Sequence, residues 1–299
     1  MDAFVRRCMP HLSRREALEA IRSKLFRINE RVGAKGTRLA AGDRVTFEGP
    51  RHWLLDVPPP QPQLSVPVLY EDTSVLAVDK PAGMATHGFS GRDHDTLANF
   101  LATARPDLLF IGASRWEPGL VHRLDRETSG VVLIAKTQAA FDALRLQFRL
   151  GQVQKKYWAL VWGKAENEGS ISCPLAHDRR DKRRMQVMSD HSLRVKKQKS
   201  WSALTRFRKL TDTAEASLLE IQMETGVTHQ IRAHLAAIGH PIVGDSLYGA
   251  RRENFGLQRQ FLHAFSLEFV HPEGGQWVKA EAPLPLELEV VLKKLRAKR

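Results

Sequence analysis

Near the N-terminus, Leu12-Ser-Arg-Arg-Glu16 runs into apolar positions that recur at helical spacing. Ser13 suits a helix N-cap and Glu16, three residues on, completes a capping box. Leu18, Ile21 and Leu25 follow, with Ala17 beside them, while Arg14, Arg15, Arg22 and Lys24 fall on the opposite face. Short alternating runs at Phe26–Asn29 and Asp43–Gly49 predict strands, with turn chemistry at Gly42-Asp43 between them. The pattern then breaks at Val57 to Pro67, VPPPQPQLSVP, a composition that favours extended polyproline and semi-rigid spacers. It separates a small α+β piece, residues 1–56, from a large one, residues 67–299, with a linker at 57–66.

In the large piece, Val75 to Val78 is an apolar run of strand length, followed by the loop signal Asp-Lys-Pro-Ala-Gly. Leu97, Leu101 and Ala104 mark a helix that stops before Pro106. Val131 to Ala135 predicts a strand buried on both faces. Phe141, Leu144 and Phe148 share a helix face. KKYWALVWG, WSALTRF and ASLLEIQM predict three further strands. VTHQIRAHLAAIGHP offers the strongest helix pattern, with Val227, Ile231, Leu235 and Ile238 in one stripe, Gly239 just past the end and Pro241 after it. Strands and helices mix without regular alternation, which favours α+β over a doubly wound sheet.

Charge sharpens this picture. The 299 residues hold 46 Lys plus Arg against 33 Asp plus Glu, a net charge of +13. Such a balance points to a polyanionic partner. From His177 to Ser200 nine residues are Lys or Arg, among them Lys196, Lys197 and Lys199. With the basic face of the first helix, this run suggests a polyphosphate backbone contacted in two places. Cys8 and Cys173 have no metal-ligand or disulfide spacing, and reduced thiols are expected. No apolar stretch approaches the ~18 residues of a membrane span. The N-terminus has no apolar core of signal-peptide length. A cytoplasmic monomer with no membrane association, no cofactor and no metal is the expectation.

Candidate chemistry centres on GLVHRLDRETSGVVLIAK, residues 119–136, in which Asp125 stands between Arg123 and Arg126 before a Thr-Ser-Gly turn. A kinase catalytic loop is excluded, because Leu124 interrupts His-Arg-Asp and neither the Asn nor a Gly-rich loop is present. A zinc-protease motif, a phosphate-binding loop and a dinucleotide fingerprint are absent too. His229 and His234 lie five residues apart, on different faces of a helix. What remains is a carboxylate among cations. The flanking guanidiniums are expected to keep it ionised, and an ionised carboxylate can act as nucleophile or base without a cofactor.

The same stretch resembles the catalytic signature of the RluA-type RNA pseudouridine synthases. VLAVDKPAGMATH, KKYWALVWG, TGVTHQIRAHLAAIGHPIVGDSLYG, FLHAFSLEFVHP and APLP resemble further segments of that family, in the same order, over roughly residues 64–290. The resemblance implies a mixed, mainly antiparallel sheet with flanking helices, and an isomerase converting uridine to pseudouridine after base flipping. It implies ribosomal RNA as the favoured substrate, with transfer RNA the alternative. It implies that Asp125 is the essential aspartate, attacking sugar or base or removing a sugar proton. It further implies that Tyr157 is the active-site tyrosine and that Arg232 pairs with the aspartate. Arg123 then enters the RNA stack, holds a phosphate near the flipped uridine, or positions the loop backbone, and Lys80 contacts phosphate or caps a turn. His122 and His229 are expected to be hydrogen-bonded structural residues. One departure is Val227, where the family usually has arginine. The first 56 residues resemble the small RNA-binding module of ribosomal protein S-four, through LSRREALEAI, RIN and LAAGDRV, which makes Arg14 and Arg15 candidate RNA contacts. A non-catalytic RNA-binding relative and a base-releasing glycosylase are the competing classes.

Overall fold

The computed structural model describes residues 1–88, 93–188, 198–249 and 254–297. The chain begins with α1 (Asp2–Cys8), α2 (Arg14–Arg22), the short strands β1 (Phe26–Ile28), β2 (Arg31–Val32) and β3 (Val45–Phe47), and α3 (Arg51–Leu55). Ser13 caps α2 as its sequence requires. Its Oγ accepts from Glu16 N at 3.2 Å, and the Glu16 carboxylate accepts from Ser13 N at 2.8 Å. The buried face of α2 is Ala17, Ala20 and Ile21. Leu25 lies beyond the helix rather than on its stripe, because the backbone turns left-handed at Lys24 (φ 61°). These side chains pack with Met1, Val5, Met9 and Phe26 into a core of their own, against a sheet of order β2-β1-β3.

The proline-rich stretch is hydrogen-bonded to residues in and next to a helix of the larger piece. Asn99 donates to Pro59 O at 2.8 Å, Gln61 N donates to Thr103 Oγ1 at 2.6 Å, and Gln61 Oε1 accepts from Asp95 N at 2.7 Å.

Beyond it come β4 (Val68–Glu71), β5 (Val75–Lys80), α4 (Leu97–Ala104), a single 3₁₀ segment (Pro106–Phe110), β6 (Ser129–Ala135), α5 (Gln138–Arg149) and β7 (Gln154–Trp162). The chain continues through β8 (Glu168–Ser172), β9 (Leu175–His177), β10 (Met185–Val187), β11 (Leu204–Asp212) and β12 (Ala216–Met223). It ends with α6 (Gln230–Ala237), β13 (Leu262–Val270), β14 (Trp277–Glu281) and α7 (Leu286–Ala297). Nine strands form one sheet of order β4-β5-β6-β13-β7-β12-β11-β8, with β14 added to β13. Its pairings are antiparallel except β6 with β13. The architecture is therefore α+β and mainly antiparallel. Among the described residues no helix is long and apolar enough to cross a membrane.

Strand β6 explains why its sequence is apolar without alternation. Val132 and Ile134 pack with Leu97 and Leu101 of α4 and with Leu288 and Val291 of α7. Val131, Leu133 and Ala135 pack on the other side with Phe141 and Leu144 of α5. A strand covered on both faces needs apolar side chains at every position.

Helix α6 is shorter than its pattern predicts. It starts at Gln230, because His229 is left-handed (φ 55°, ψ 19°). The Gln230 side chain fixes that turn, accepting from Val227 N at 3.1 Å and Thr225 Oγ1 at 2.8 Å. Ile231 and Leu235 are buried as expected, whereas Ile238 is 42 % exposed. Gly239 follows with φ 84°.

The parallel pairing of β6 with β13 sets Gly130 opposite Ala264. Gly130 has φ 118°, and a Cβ there would stand 2.1 Å from the Ala264 carbonyl oxygen. Both backbones belong to the sheet, so neither can yield cheaply. Gly130→Ala is expected to cost about 2–4 kcal/mol through combined strain and overpacking. Urea unfolding of the variant measures this, and a loss below about 0.5 kcal/mol would be the contrary result.

Candidate active site

The segment that leads into β6 carries Asp125 at its tip. Thr128 N donates to Asp125 O at 3.0 Å, closing a turn whose Asp125 side chain lines a groove described below. The loop is clamped from two sides. Below it, Lys80 is fully buried, and its ammonium donates to Pro81 O at 2.8 Å, Met84 O at 2.7 Å and Arg126 O at 3.2 Å. Burial lowers its pKa to about 7, against the opposing pull of Asp125 and Glu127. Lys80 is thus a turn-capping residue and not a phosphate contact. Thr86 Oγ1 donates to Leu124 O at 2.8 Å and accepts from Leu124 N at 3.1 Å. From the β13 side, Gln260 donates to Thr128 Oγ1 at 2.9 Å, and buried Arg259 donates to Glu127 O at 3.3 Å.

The charge partner of Asp125 comes from 107 residues away. Arg232 Nη1 donates to Asp125 Oδ2 at 3.0 Å. The same guanidinium turns its other edge to Asp245, with Nε 2.7 Å from Oδ2 and Nη2 3.0 Å from Oδ1. The Asp245 side chain is fully enclosed, and its Oδ1 also accepts from Leu247 N at 2.9 Å and Tyr248 N at 3.0 Å. Burial would raise the Asp245 pKa, but the Arg232 bonds and the two amides outweigh it and leave the pKa below 3.8. Burial likewise disfavours the Arg232 charge, and the Asp245 bond more than offsets it. The sequence neighbours Arg123 and Arg126, expected to flank the carboxylate, do not pair with it. Arg123 Nη1 reaches His87 Nε2 at 3.3 Å, and Arg126 Nε donates to Gly83 O at 2.8 Å.

His229 completes the cluster. Its Nε2 lies 3.7 Å from Asp125 Oδ2, and its Nδ1 is 3.2 Å from the Tyr248 hydroxyl. That hydroxyl already accepts from Met185 N at 2.6 Å, so its proton is free for His229 Nδ1. The arrangement assigns the ring hydrogen to Nε2, facing Asp125. Burial lowers the His229 pKa below 6.5, although Asp125 draws it the other way. The Tyr248 ring lies against two guanidiniums, with Arg232 at 5.2 Å and Arg184 at 5.0 Å from its centroid.

These groups open onto a groove of about 730 Å³ lined by Asp125, Arg232, Tyr157, His229, Met223 and Leu262, among others. Asp125 is 21 % exposed there, and its Oδ1 takes no hydrogen bond from the described residues. Tyr157 is buried at the wall. Burial, with the Asp125 charge added, pushes its phenol above the ordinary value of 10. Val227, at the position of the departure from the resembled family, also lines the groove. His122 and His234 are structural. His122 Nε2 accepts from Leu133 N at 2.9 Å, and burial holds its pKa down at about 3. His234 is bonded to Thr205 Oγ1 at 3.0 Å and Cys173 O at 2.9 Å. Among the described residues no cluster of three or more His, Cys, Asp or Glu side chains is arranged to hold a metal.

The structure thus brings Asp125, Tyr157 and Arg232 together. Arg123 stands at the groove edge. Arg14 and Arg15 lie on the exposed face of α2, remote in sequence from the site. Lys199 is exposed, its ammonium 5.3 Å from the Trp201 ring centroid. Lys196 and Lys197 lie outside the described residues. Sequence reasoning passed over Asp245 and Tyr248. A signal existed for the first, since a buried arginine demands a carboxylate and Asp245 is the first acid after Arg232.

Residues 74–237 match a family model described as RNA pseudouridylate synthase. Asp125, Tyr157 and Arg232 all fall within that span. An RNA pseudouridine synthase of Chloroflexus aurantiacus is 39% identical over 302 residues, covering 99% of this chain and 90% of that protein. The ribosomal large subunit pseudouridine synthase D of Zymomonas mobilis is 36% identical over 255 residues, covering 81% of this chain and 78% of that one. Among solved structures, human RNA pseudouridylate synthase domain containing 4 superposes with a TM-score of 0.60 at 25% identity, covering 77% of this chain and 93% of that chain.

Asp245→Ala leaves the Arg232 charge half unpaired in a desolvated place, and is expected to cost about 3–5 kcal/mol. The acid dependence follows from the depressed pKa. The Asp245 contribution is fully present above its ordinary value of 3.8 and is lost as pH falls through the lower folded value. Urea unfolding from neutral pH down through that window should therefore show a steeper fall for wild type than for Asp245→Ala. Parallel curves would contradict the assignment.

Proposed function

The chain belongs to the RNA pseudouridylate synthase family and is an isomerase acting on RNA, and on that premise we propose that Asp125 is the group that converts specific uridines to pseudouridine, in ribosomal RNA. The observation that carries this reading is the Asp125 carboxylate itself. One oxygen is held by Arg232, and the other takes no hydrogen bond from the described residues at the groove wall.

The isomerisation breaks the N1–C1′ bond of uridine, turns the uracil, and joins C5 to C1′. The hydrogen of C5 is lost and N1 gains one, so the atoms balance. None of these positions is reachable inside a stacked helix, so the nucleotide must be extruded into the groove. There the free oxygen of Asp125 acts on the sugar or the base while Arg232 fixes its direction. Tyr157 offers its ring to the extruded uracil. Its raised pKa favours a stacking and hydrogen-bonding role over that of a phenolate base. Met223, Leu262 and Ile231 line the same groove and help exclude water, which would otherwise hydrolyse the separated sugar and base.

Arg123 at the groove edge, Arg14 and Arg15 on α2, and Lys196, Lys197 and Lys199 in the basic run are the proposed RNA contacts. The N-terminal segment, with its separate apolar core and outward arginines, is proposed to act as an S-four-like RNA-binding module. Ribosomal RNA is favoured over transfer RNA by the ribosomal names of similar enzymes, including that of Zymomonas mobilis.

The test is nucleoside analysis. Unmodified ribosomal and transfer RNA are incubated separately with wild type and Asp125→Ala, then digested and separated. Pseudouridine is expected from wild type acting on ribosomal RNA, with at least a ~10⁴-fold loss in the variant, as for removal of an essential group. Free uracil in place of pseudouridine would indicate a glycosylase, and equal yields from both proteins would remove Asp125 from the chemistry.

A further inference from the structure

Strand β7 carries two lysines before Tyr157, and the fold treats them differently. Lys156 points to the opposite face, where its ammonium sits 4.0 Å from Glu268. Lys155 lies on the same face as Tyr157, two residues and ~6.6 Å along the strand. It is 7 % exposed and lines the groove that holds Asp125. Its ammonium donates to Thr225 O at 3.0 Å and rests 5.9 Å from the Phe148 ring centroid. An ammonium has three donors, and among the described residues this one donates to Thr225 O alone. No carboxylate among the described residues forms an ion pair with it.

Its surroundings add more positive charge. Arg145 and Arg149, one turn apart on α5, line the same groove, and both are exposed. Arg145 donates to Val121 O at 2.9 Å, which sets it at the rim. The two cations flank one place, for Lys155 rests over the Phe148 ring on which His122 stacks, and Arg145 bonds Val121 beside it. Two carboxylates share the groove lining. Asp125 is tied to Arg232, and Asp142 accepts from Gln138 at 3.0 Å on the exposed side of α5. A buried cation without a counter-ion is a destabilising feature that a fold has no reason to keep for itself.

We propose that Lys155, with Arg145 and Arg149 at the rim, forms the binding site for a phosphodiester group of the substrate RNA next to the extruded uridine. This rests on reading the groove as the site of uridine isomerisation. The spacing on β7 then places the base against Tyr157 and the adjoining backbone against Lys155. Burial lowers the Lys155 pKa only to about 8, so it remains a cation at neutral pH.

The test compares wild type, Lys155→Met and Lys155→Arg as full-length proteins on an unmodified large-subunit ribosomal RNA transcript. It measures pseudouridine formation, RNA affinity over a salt series, and thermal unfolding. For Lys155→Met the expected result is an unchanged or raised Tm and a KM for RNA about tenfold higher, the loss of one charge-assisted contact. The slope of log affinity against log salt should be shallower by about 0.7–0.9, with most of the loss recovered by Lys155→Arg. An unchanged KM and slope would overturn the proposal. So would a Lys155→Met protein with a lower Tm or no fold, which would make the lysine a structural strut. If wild type binds RNA with a Lys155-dependent slope yet makes no pseudouridine, the functional reading fails and the anion site stands. If wild type makes pseudouridine and Lys155→Met binds equally well, the reverse holds.

Discussion

One guanidinium between two carboxylates organises this molecule. Arg232 is bound along one edge by Asp245 and reaches Asp125 with its remaining Nη1. Removing three charged groups from water costs several kcal/mol for each ion, and only near-complete hydrogen bonding offsets that. The offset is visible in the fork-to-fork geometry and in the two backbone amides that bind Asp245. The bridge ties the loop before β6 to helix α6, 107 residues on, and to the segment just after that helix. It also leaves one negative charge formally unbalanced. The buried Lys80 ammonium below the loop and the cations around the groove stand in that field.

The sheet exists in the form that makes this bridge possible. Because β6 is covered on both faces, its N-terminal end is rigid, and the Asp125 turn inherits that rigidity. The parallel contact with β13 brings Gln260 and Arg259 against Thr128 and Glu127, fixing the turn from the side. The left-handed His229 sets the start of α6 at Gln230, so that Arg232 falls in its first turn, in reach of Asp125. A backbone conformation of that kind is held by its surroundings, here by the four hydrogen bonds of the Gln230 side chain.

Much of this was legible locally. The capping box of α2, the stop of α4 before Pro106 and the unbroken apolar run of β6 are each decided by neighbours in sequence. The candidate site was legible in part. The stretch around Asp125, the tyrosine of β7 and the arginine of α6 stood out through resemblance, and the fold sets them around one groove. What local pattern could not supply was pairing. Arg123 and Arg126 flank Asp125 in sequence, yet they turn to His87 and Gly83, and the partner arrives from α6. Sequence left Lys80 open between phosphate contact and turn cap, because its three carbonyl acceptors belong to backbone, which leaves no trace in composition. Leu25 and Ile238 fit helical periodicity but lie past the helix ends, where backbone turns at Lys24 and Gly239 break the stripe.

If the bridge acts through geometry, and not merely through its positive charge, then a substitution that keeps the charge and loses the fork should separate the two. Lysine at position 232 keeps one cation but cannot bind Asp245 along an edge and hold Asp125 as well. The decisive measurement is the single-turnover rate of pseudouridine formation by Arg232→Lys at saturating RNA. The account predicts a fall of at least about 100-fold with RNA affinity within about threefold of wild type, the signature of a misdirected reactive group. A variant that turns over at the wild-type rate would contradict it.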